Sequence, residues 1–496
     1  GTGAPGPACH HGPVQVPDDT RRRLRAYAPW LLGLGCATLY AAVSLARLHR
    51  FASRSWDVAI FEQAIAGYAH LGAPIVAVQG PGANFFGDHF SPALAIFAPA
   101  YRLFPHTETL MLGQALLVAV SVVVVARAGT RHLGFAPGLA VGAAYGLSWG
   151  VQSAVDFDFH EVAIAAPLLA LAGAAYLDRD WLRVALWTLP LILVKEDLAL
   201  TVAAVGVVLM LSGGNGAPGH ARHRGPPGAR RWGIGLALAG IVSFAVTTVW
   251  IIPAHNAEGS YRFWPQGDDG VGLTERVLGL PADLVSPSVK LVTLLLVVVV
   301  TAALALRSPW VLVTVPALVI RFLSDNESYW GTDFHYSLTV MTVVFVALLD
   351  AIVRTRADGP DWLRPLAARA PTAAVAVAVA LCVSFPFRTL IDPATYDGGT
   401  RAEQAAAVLA AVPEGTSVAS DIGLLTPLVG ERTAYWVGSD LGPVQPDYVV
   451  LDAGTWSGPA RDGVAYAEQL VPEASYERVL HRGPFQVMRR TDPPPG

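Results

Sequence analysis

Long apolar runs broken by short polar stretches fill most of this chain. Leu116–Ala126 and Leu291–Leu306 contain no charged residue. A helix that crosses a bilayer needs about 20 predominantly apolar residues, within a range of roughly 17–25. On that measure the pattern predicts spans at 27–47, 107–127, 134–150, 161–177, 183–197, 198–212, 232–252, 289–306, 309–323, 335–353 and 371–390. Ser91–Phe104 is apolar but only 14 residues long, which suits a re-entrant or interfacial helix. Beyond Leu390 the period changes. Residues 398–412 read as an amphipathic helix and Val464–Leu470 as another. Ser417–Ser420, Thr433–Trp436, Tyr448–Leu451, Tyr476–Leu480 and Phe485–Met488 read as short strands, punctuated by Asp, Gly and Pro.

These elements predict an all-α polytopic membrane protein of about eleven transmembrane helices with a small C-terminal α/β domain. The domains would be a disordered cytoplasmic tail (1–26), a multi-span region (27–390) with a large first external loop (48–106), and an extracytoplasmic α/β domain (391–496) with a recognition or lid role. Composition agrees. The 496 residues are 53% apolar and 15% charged, whereas soluble domains carry about 25% charged residues. A net charge of −4 is too small to imply nucleic acid or another polyanion as partner. Cys9 lies in the Gly/Pro-rich tail beside His10 and His11, and Cys36 and Cys382 lie inside apolar segments. No pair is placed to staple an external domain, and there is no CxxC pattern.

Charge sorts the loops. Arg21, Arg22, Arg23 and Arg25 precede the first span, which reads as a retained anchor with its N-terminus in the cytoplasm of a plasma-membrane protein. Alternation then puts Arg127–Arg131, Asp178–Arg183, Gly213–Arg231, Arg307–Ser308 and Arg354–Arg369 on the same side, and nearly all are basic. The opposite loops gather acids, histidines and one lysine.

Three clusters there carry candidate chemistry. The first loop reads SWDVAIFEQ at its start and NFFGDHFSP at its end, so Asp57, Glu62, Asp88 and His89 lie among Trp56, Phe61, Phe85, Phe86 and Phe90. Ionisable groups beside a membrane are costly and mark sites; the plain alternative is a solvated loop with aromatic anchors. Asp57 suits a general base, or else the N-cap of a helix over Val58–Ala69. In DFDFHE, Asp156, Asp158 and His160 would share one face of an extended segment and could hold a divalent cation, or the segment is a polar turn with Glu161 opening the next helix. Lys195-Glu196-Asp197 interrupts an apolar stretch, with a lysine suited to a phosphate or an internal ion pair. Asp333 and His335 in GTDFHY echo the D-F-H pattern. Tyr329 and Trp330 beside them suit a sugar-stacking platform or the aromatic belt.

The pieces WDVAIFEQ, GDHFSPALAIFAPAYRLFP, DFHEVAIAAPLL, LVKEDLAL, DFHYSL and PDYVVLD resemble a bacterial family of predicted multi-pass membrane proteins, domain of unknown function 2079. The architecture also resembles the GT-C class of glycosyltransferases, which move a sugar from a polyprenyl-phosphate to an extracytoplasmic acceptor. That resemblance implies Asp57 as the catalytic carboxylate, with Asp88 as its rival beside His89. It implies Lys195, His160 and His335 around the donor phosphate, with Arg262 a further cation and Glu62, Asp156, Asp158, Glu161, Glu196, Asp197 and Asp333 supporting. Partners would be a lipid-linked sugar, membrane lipids and an envelope glycan, lipid or protein acceptor, with at most a divalent cation as cofactor. Two other functions fit the same residues: a proton-coupled transporter or flippase of envelope precursors, and a non-catalytic envelope scaffold.

Overall fold

The computed structural model describes residues 18–53, 55–212, 228–263, 279, 281–455 and 462–492. Cys9, the His10–His11 pair and most of the Gly213–Arg231 loop lie outside the described residues. Helix α1 runs Asp18–His49. Residues 18–26 are therefore helical where a disordered tail was expected. The first loop holds α2 (Asp57–Ala69) and α3 (Ala98–Leu103), with a 3₁₀ turn over Pro92–Phe97 before the latter. The apolar Ser91–Phe104 segment thus forms short helical pieces, too short to span.

The remaining helices of the apolar region are α4 (Thr107–Leu133), α5 (Phe135–Gly146), α6 (Trp149–Asp156), α7 (Val162–Leu177), α8 (Trp181–Thr188), α9 (Leu198–Ser212), α10 (Ala229–Val246), α11 (Ser288–Val299), α12 (Val315–Leu323), α13 (Leu338–Asp358) and α14 (Arg364–Leu381). Among the described residues five helices are long and apolar enough to cross a membrane, and five more apolar ones are shorter. Several expected spans are broken. The 134–150 span stops at Gly146, where the Ser148 hydroxyl donates to the Tyr145 carbonyl at 2.7 Å and competes with the helix ladder. The 183–197 span tightens into a 3₁₀ turn over Leu189–Leu193 at Pro190 and ends before the charged triplet. The 289–306 span ends at Val299, because Ala302 and Ala303 adopt positive φ of 50° and 59°. The 335–353 and 371–390 spans shift to begin at Leu338 and Arg364.

Burial separates centre from rim. The apolar window of α13 is 89% buried, that of α1 28% and that of α10 22%. So α13 runs through the middle, while α1 and α10 turn apolar side chains outward. Close approach of α9 and α10 depends on glycine. A Cβ on Gly206 would fall 2.5 Å from the Gly233 carbonyl and the Ala237 nitrogen.

The C-terminal unit contains α15 (Gly399–Ala411), β1 (Ser417–Ser420), α16 (Leu425–Val429), β2 (Thr433–Trp436), β3 (Tyr448–Asp452), α17 (Gly463–Leu470), β4 (Tyr476–Arg482) and β5 (Phe485–Arg490). All five expected strands form one sheet in the order β2-β1-β3-β5-β4. β1 pairs parallel with β2 and β3, while β5 pairs antiparallel with β3 and β4. Alternation divides the faces. Val418, Val450 and Val487 join the core shared with the helical bundle, and Ala419, Val449, Leu451 and Met488 pack on the other face with Ala467 of α17.

This unit sits on the first loop. Trp436 of β2 packs against Trp56 with ring centroids 5.0 Å apart. Gln63 of α2 donates to the Ala434 carbonyl at 2.9 Å, and the Ser439 hydroxyl donates to the Val78 carbonyl at 2.6 Å. Arg401 of α15 donates to the Phe51 carbonyl at 3.2 Å, just past the end of α1.

Candidate active site

Asp57 is the first residue of α2, whose N-cap is Trp56 with no side-chain cap bond. The capping reading of Asp57 therefore fails. Its own N–H donates to the Ser55 hydroxyl at 3.0 Å, and its carboxylate is left for another partner. Asp57 Oδ2 lies 3.6 Å from His160 Nε2. The other ring nitrogen, Nδ1, lies 3.1 Å from the Asp158 carbonyl, and the His160 backbone N–H donates to Gln114 Oε1 at 3.0 Å. Both ring nitrogens of His160 thus face oxygen acceptors. Its ring stacks on His335, with centroids 3.5 Å apart and 21° between planes, and on Phe157 at 5.2 Å.

His335 is brought there by Phe334, which takes a left-handed φ of 64°. Such a conformation costs a non-glycine residue about 1–3 kcal/mol. Burial, then the charges of His160, Lys195, Arg321 and His89, push the His335 pKa well below the ordinary value, so this ring is neutral. Burial opposes ionisation of Asp57, but hydrogen bonding and charge from His160, with Lys195 and His89, outweigh it and hold its pKa below the usual carboxylate value.

The charged triplet occupies the gap between the 3₁₀ turn over Leu189–Leu193 and the start of α9 at Leu198. Lys195 Nζ lies 2.8 Å from Glu161 Oε1, just before α7. Glu196 is fully engaged. Its Oε1 accepts from His89 Nδ1 at 2.8 Å and from the Tyr261 hydroxyl at 3.1 Å, and its Oε2 accepts from the Phe90 N–H at 3.1 Å. The His89 ring stacks on Phe263 at 4.7 Å. Burial works against a charge on His89, yet the Glu196 and Asp88 carboxylates together outweigh it and lift its pKa to about 9. Asp88 accepts from Gln79 and faces Arg262 Nε at 3.4 Å. Helix ends from α7, α9, α12 and α13 therefore meet the first loop at a single cleft, lined by His89, Lys195, Glu196, Asp197, Arg321 and His335 among others. Its cavity volume is about 90 Å³. Asp197 Oδ1 and His335 Nδ1 are buried there with no hydrogen-bond partner in the protein, an unusual state for buried polar atoms.

Residues 47–485 match the family described as predicted membrane protein (DUF2079). The chain belongs to that family. The matched region takes in the first loop, every helix end around the cleft and all of the C-terminal sheet up to the start of β5. No curated protein matches the chain.

Several cleft residues of this DUF2079 chain escaped sequence reasoning, Tyr261, Phe263 and Arg321 among them. Arg321 lies inside an apolar segment, and a charge in such a place was the available signal. Its guanidinium donates to the carbonyls of Tyr329 at 2.8 Å and Gly331 at 2.9 Å and to the Ser337 hydroxyl at 3.0 Å, all neutral acceptors. Lys195, by contrast, is already matched by Glu161.

Four expected site residues lie elsewhere. Glu62 is buried between α2, α3 and α4, accepting from Tyr101 at 2.9 Å and Thr107 at 2.7 Å. Burial lifts its pKa to about 7 against those two hydrogen bonds. Asp156 ends α6 and pairs with Arg47 at 3.2 Å. Asp158 accepts from the Ser53 hydroxyl at 2.6 Å. The DFDFHE segment therefore does not present Asp156, Asp158 and His160 on one extended face, because Asp156 is still helical and each residue turns to a different partner. Asp333 is exposed. Among the described residues no group of three or more His, Cys, Asp or Glu is placed to hold a metal ion.

Proposed function

We propose that this protein is a membrane glycosyltransferase of GT-C-like architecture that moves a sugar from a polyprenyl-phosphate to an extracytoplasmic acceptor, with inversion. The reading includes about eleven spans in the plasma membrane, the N-terminus in the cytoplasm and the C-terminal domain outside. The observation that carries it is a cleft of cationic side chains and unpartnered buried polar atoms, with the Asp57 carboxylate linked to its rim through His160 stacked on His335, next to a docked α/β unit. Asp57 takes the proton of the acceptor hydroxyl as that oxygen bonds to the anomeric carbon. The bond from the anomeric carbon to the phosphate oxygen breaks, and its electron pair leaves with the phosphate. Arg321, whose charge is met only by neutral acceptors, and the Lys195 and His89 cations hold the departing phosphate. His160 orients Asp57, and neutral His335 backs its ring. The test is transfer of a radiolabelled sugar from a polyprenyl-phosphate by purified protein. Asp57→Asn is expected to lower the rate by about 10²–10⁴-fold, the usual worth of a general base. Full activity in that variant sinks the assignment.

A second reading has its own support. Lys195–Asp197 breaks two apolar helical segments with charged residues, the form that substrate and ion sites take in transporters. Proton-coupled uptake of a lipid-linked precursor into liposomes, lost in Asp197→Asn while no sugar is transferred, selects it over the enzyme.

A further inference from the structure

At the end of the bundle away from the cleft, α1 and α4 form a polar recess of about 520 Å³ lined by Arg23, Arg25, Tyr27, Trp30, Arg127 and Arg131 among others. Among the described residues, none that lines it is acidic. Two of the arginines are braced by aromatic faces: Arg127 lies 5.5 Å from the Trp30 ring and Arg25 5.5 Å from the Phe135 ring. Arg131 is paired with Asp178. Directly along α1 an apolar groove of about 720 Å³ follows, lined by Leu31, Leu34, Gly35, Thr38, Leu39 and Leu147 among others. Tyr27, Leu31, Leu34 and Thr38 fall three or four residues apart, so the recess and the groove share one helix face. Trp30 to Leu39 covers about 14 Å at the helical rise of about 1.5 Å per residue. Half of a bilayer's hydrocarbon core is about 15 Å. The groove is thus about as long as one leaflet is deep, a length that would set its basic mouth at headgroup level.

We propose that this face of α1 is a binding site for a phospholipid with an anionic headgroup, the phosphate held by Arg25 and Arg127 and one acyl chain laid along Leu31–Leu39. Cation and chain contacts act together here, which separates the site from scattered interfacial arginines. It is independent of the chemistry at the cleft.

The experiment uses the full-length protein in detergent, with retention of phosphatidylglycerol and of phosphatidylcholine read by native mass spectrometry. Phosphatidylglycerol is expected to be retained at least about tenfold better, since basic side chains near a membrane surface attract lipid anions. The double change Arg25→Gln with Arg127→Gln should abolish that preference. Gly35→Leu, at a position whose Cβ meets nothing within 4 Å, should lower retention of both lipids by filling the groove. Equal retention of the two lipids by the native protein overturns the proposal, as does a double variant that keeps the preference. Displacement of the lipid by an equal concentration of inorganic phosphate assigns the recess to a free anion and also overturns it. If the double variant does not fold, Gly35→Leu decides alone: reduced phosphatidylglycerol retention upholds the site, and unchanged retention refutes it.

Discussion

Lys195 and Arg321 both line the cleft, and they differ in how their charge is met. Lys195 has a carboxylate at 2.8 Å, so an incoming phosphate must compete with Glu161. Arg321 has only carbonyls and a hydroxyl, so its charge stays available. Arg321→Lys keeps the charge but loses the fork that grips four acceptors at once. In the transfer assay it is expected to raise KM for the lipid-linked sugar by about tenfold or more, and an unchanged KM removes Arg321 from the phosphate site. The His89–Glu196 pair sets a pH dependence whose sign follows from the folded pKa of about 9 against the ordinary 6.5. The folded state binds the extra proton, so the pair's stabilisation is whole below pH 6.5 and disappears as pH climbs to about 9. Thermal unfolding in detergent should show the midpoint falling across that window, with the fall reduced in His89→Gln. Equal slopes for both proteins contradict the pairing.

At the scale of elements, glycine decides how closely α9 and α10 lie. Gly206→Leu would drive a side chain into the Gly233 carbonyl, an overpacking that costs about 1–3 kcal/mol. Gly235 on the same helix pair has open space around its Cβ. Gly235→Leu should therefore leave the unfolding midpoint where it is while Gly206→Leu lowers it, and similar midpoints would contradict this packing. The apolar runs made most helices legible in the sequence, since hydrocarbon-length segments leave few alternatives. The strands were legible for the complementary reason, a period of two bounded by turn residues. Breaks were harder to foresee. Ser148 ends a helix through a hydrogen bond to a carbonyl three residues back, and Ala302 and Ala303 end another by positive φ. Neither effect alters hydropathy. The candidate site was half legible. Charge among apolar residues singled out Asp57, His160, Lys195 and His335, but not that Phe334 would take a left-handed turn and lay one imidazole on the other. Glu62 was expected to support the site from the same helix as Asp57, yet five residues along a helix is a turn to another face, toward Tyr101 and Thr107.

For the whole molecule, the decisive arrangement is the α/β unit seated on the first loop. Trp56, which touches Trp436, immediately precedes Asp57, so docking of the sheet bears on the residue next to the carboxylate. A double-mutant cycle on Trp56→Ala and Trp436→Ala should return a coupling of about 0.5–1.5 kcal/mol, the range for aromatic pairs. Additive effects would mean that the two halves are joined by their other contacts alone. At the far side of the cleft Arg321 grips the segment from Tyr329 to Ser337 at several points, and that segment carries His335. An anion that draws the guanidinium toward itself must tug this strand of backbone. The His335 ring would tilt, the His160 ring stacked on it would follow, and the carboxylate facing His160 would feel the change. The cleft would then weigh its cargo before acting on it, with one arginine as the beam of the balance.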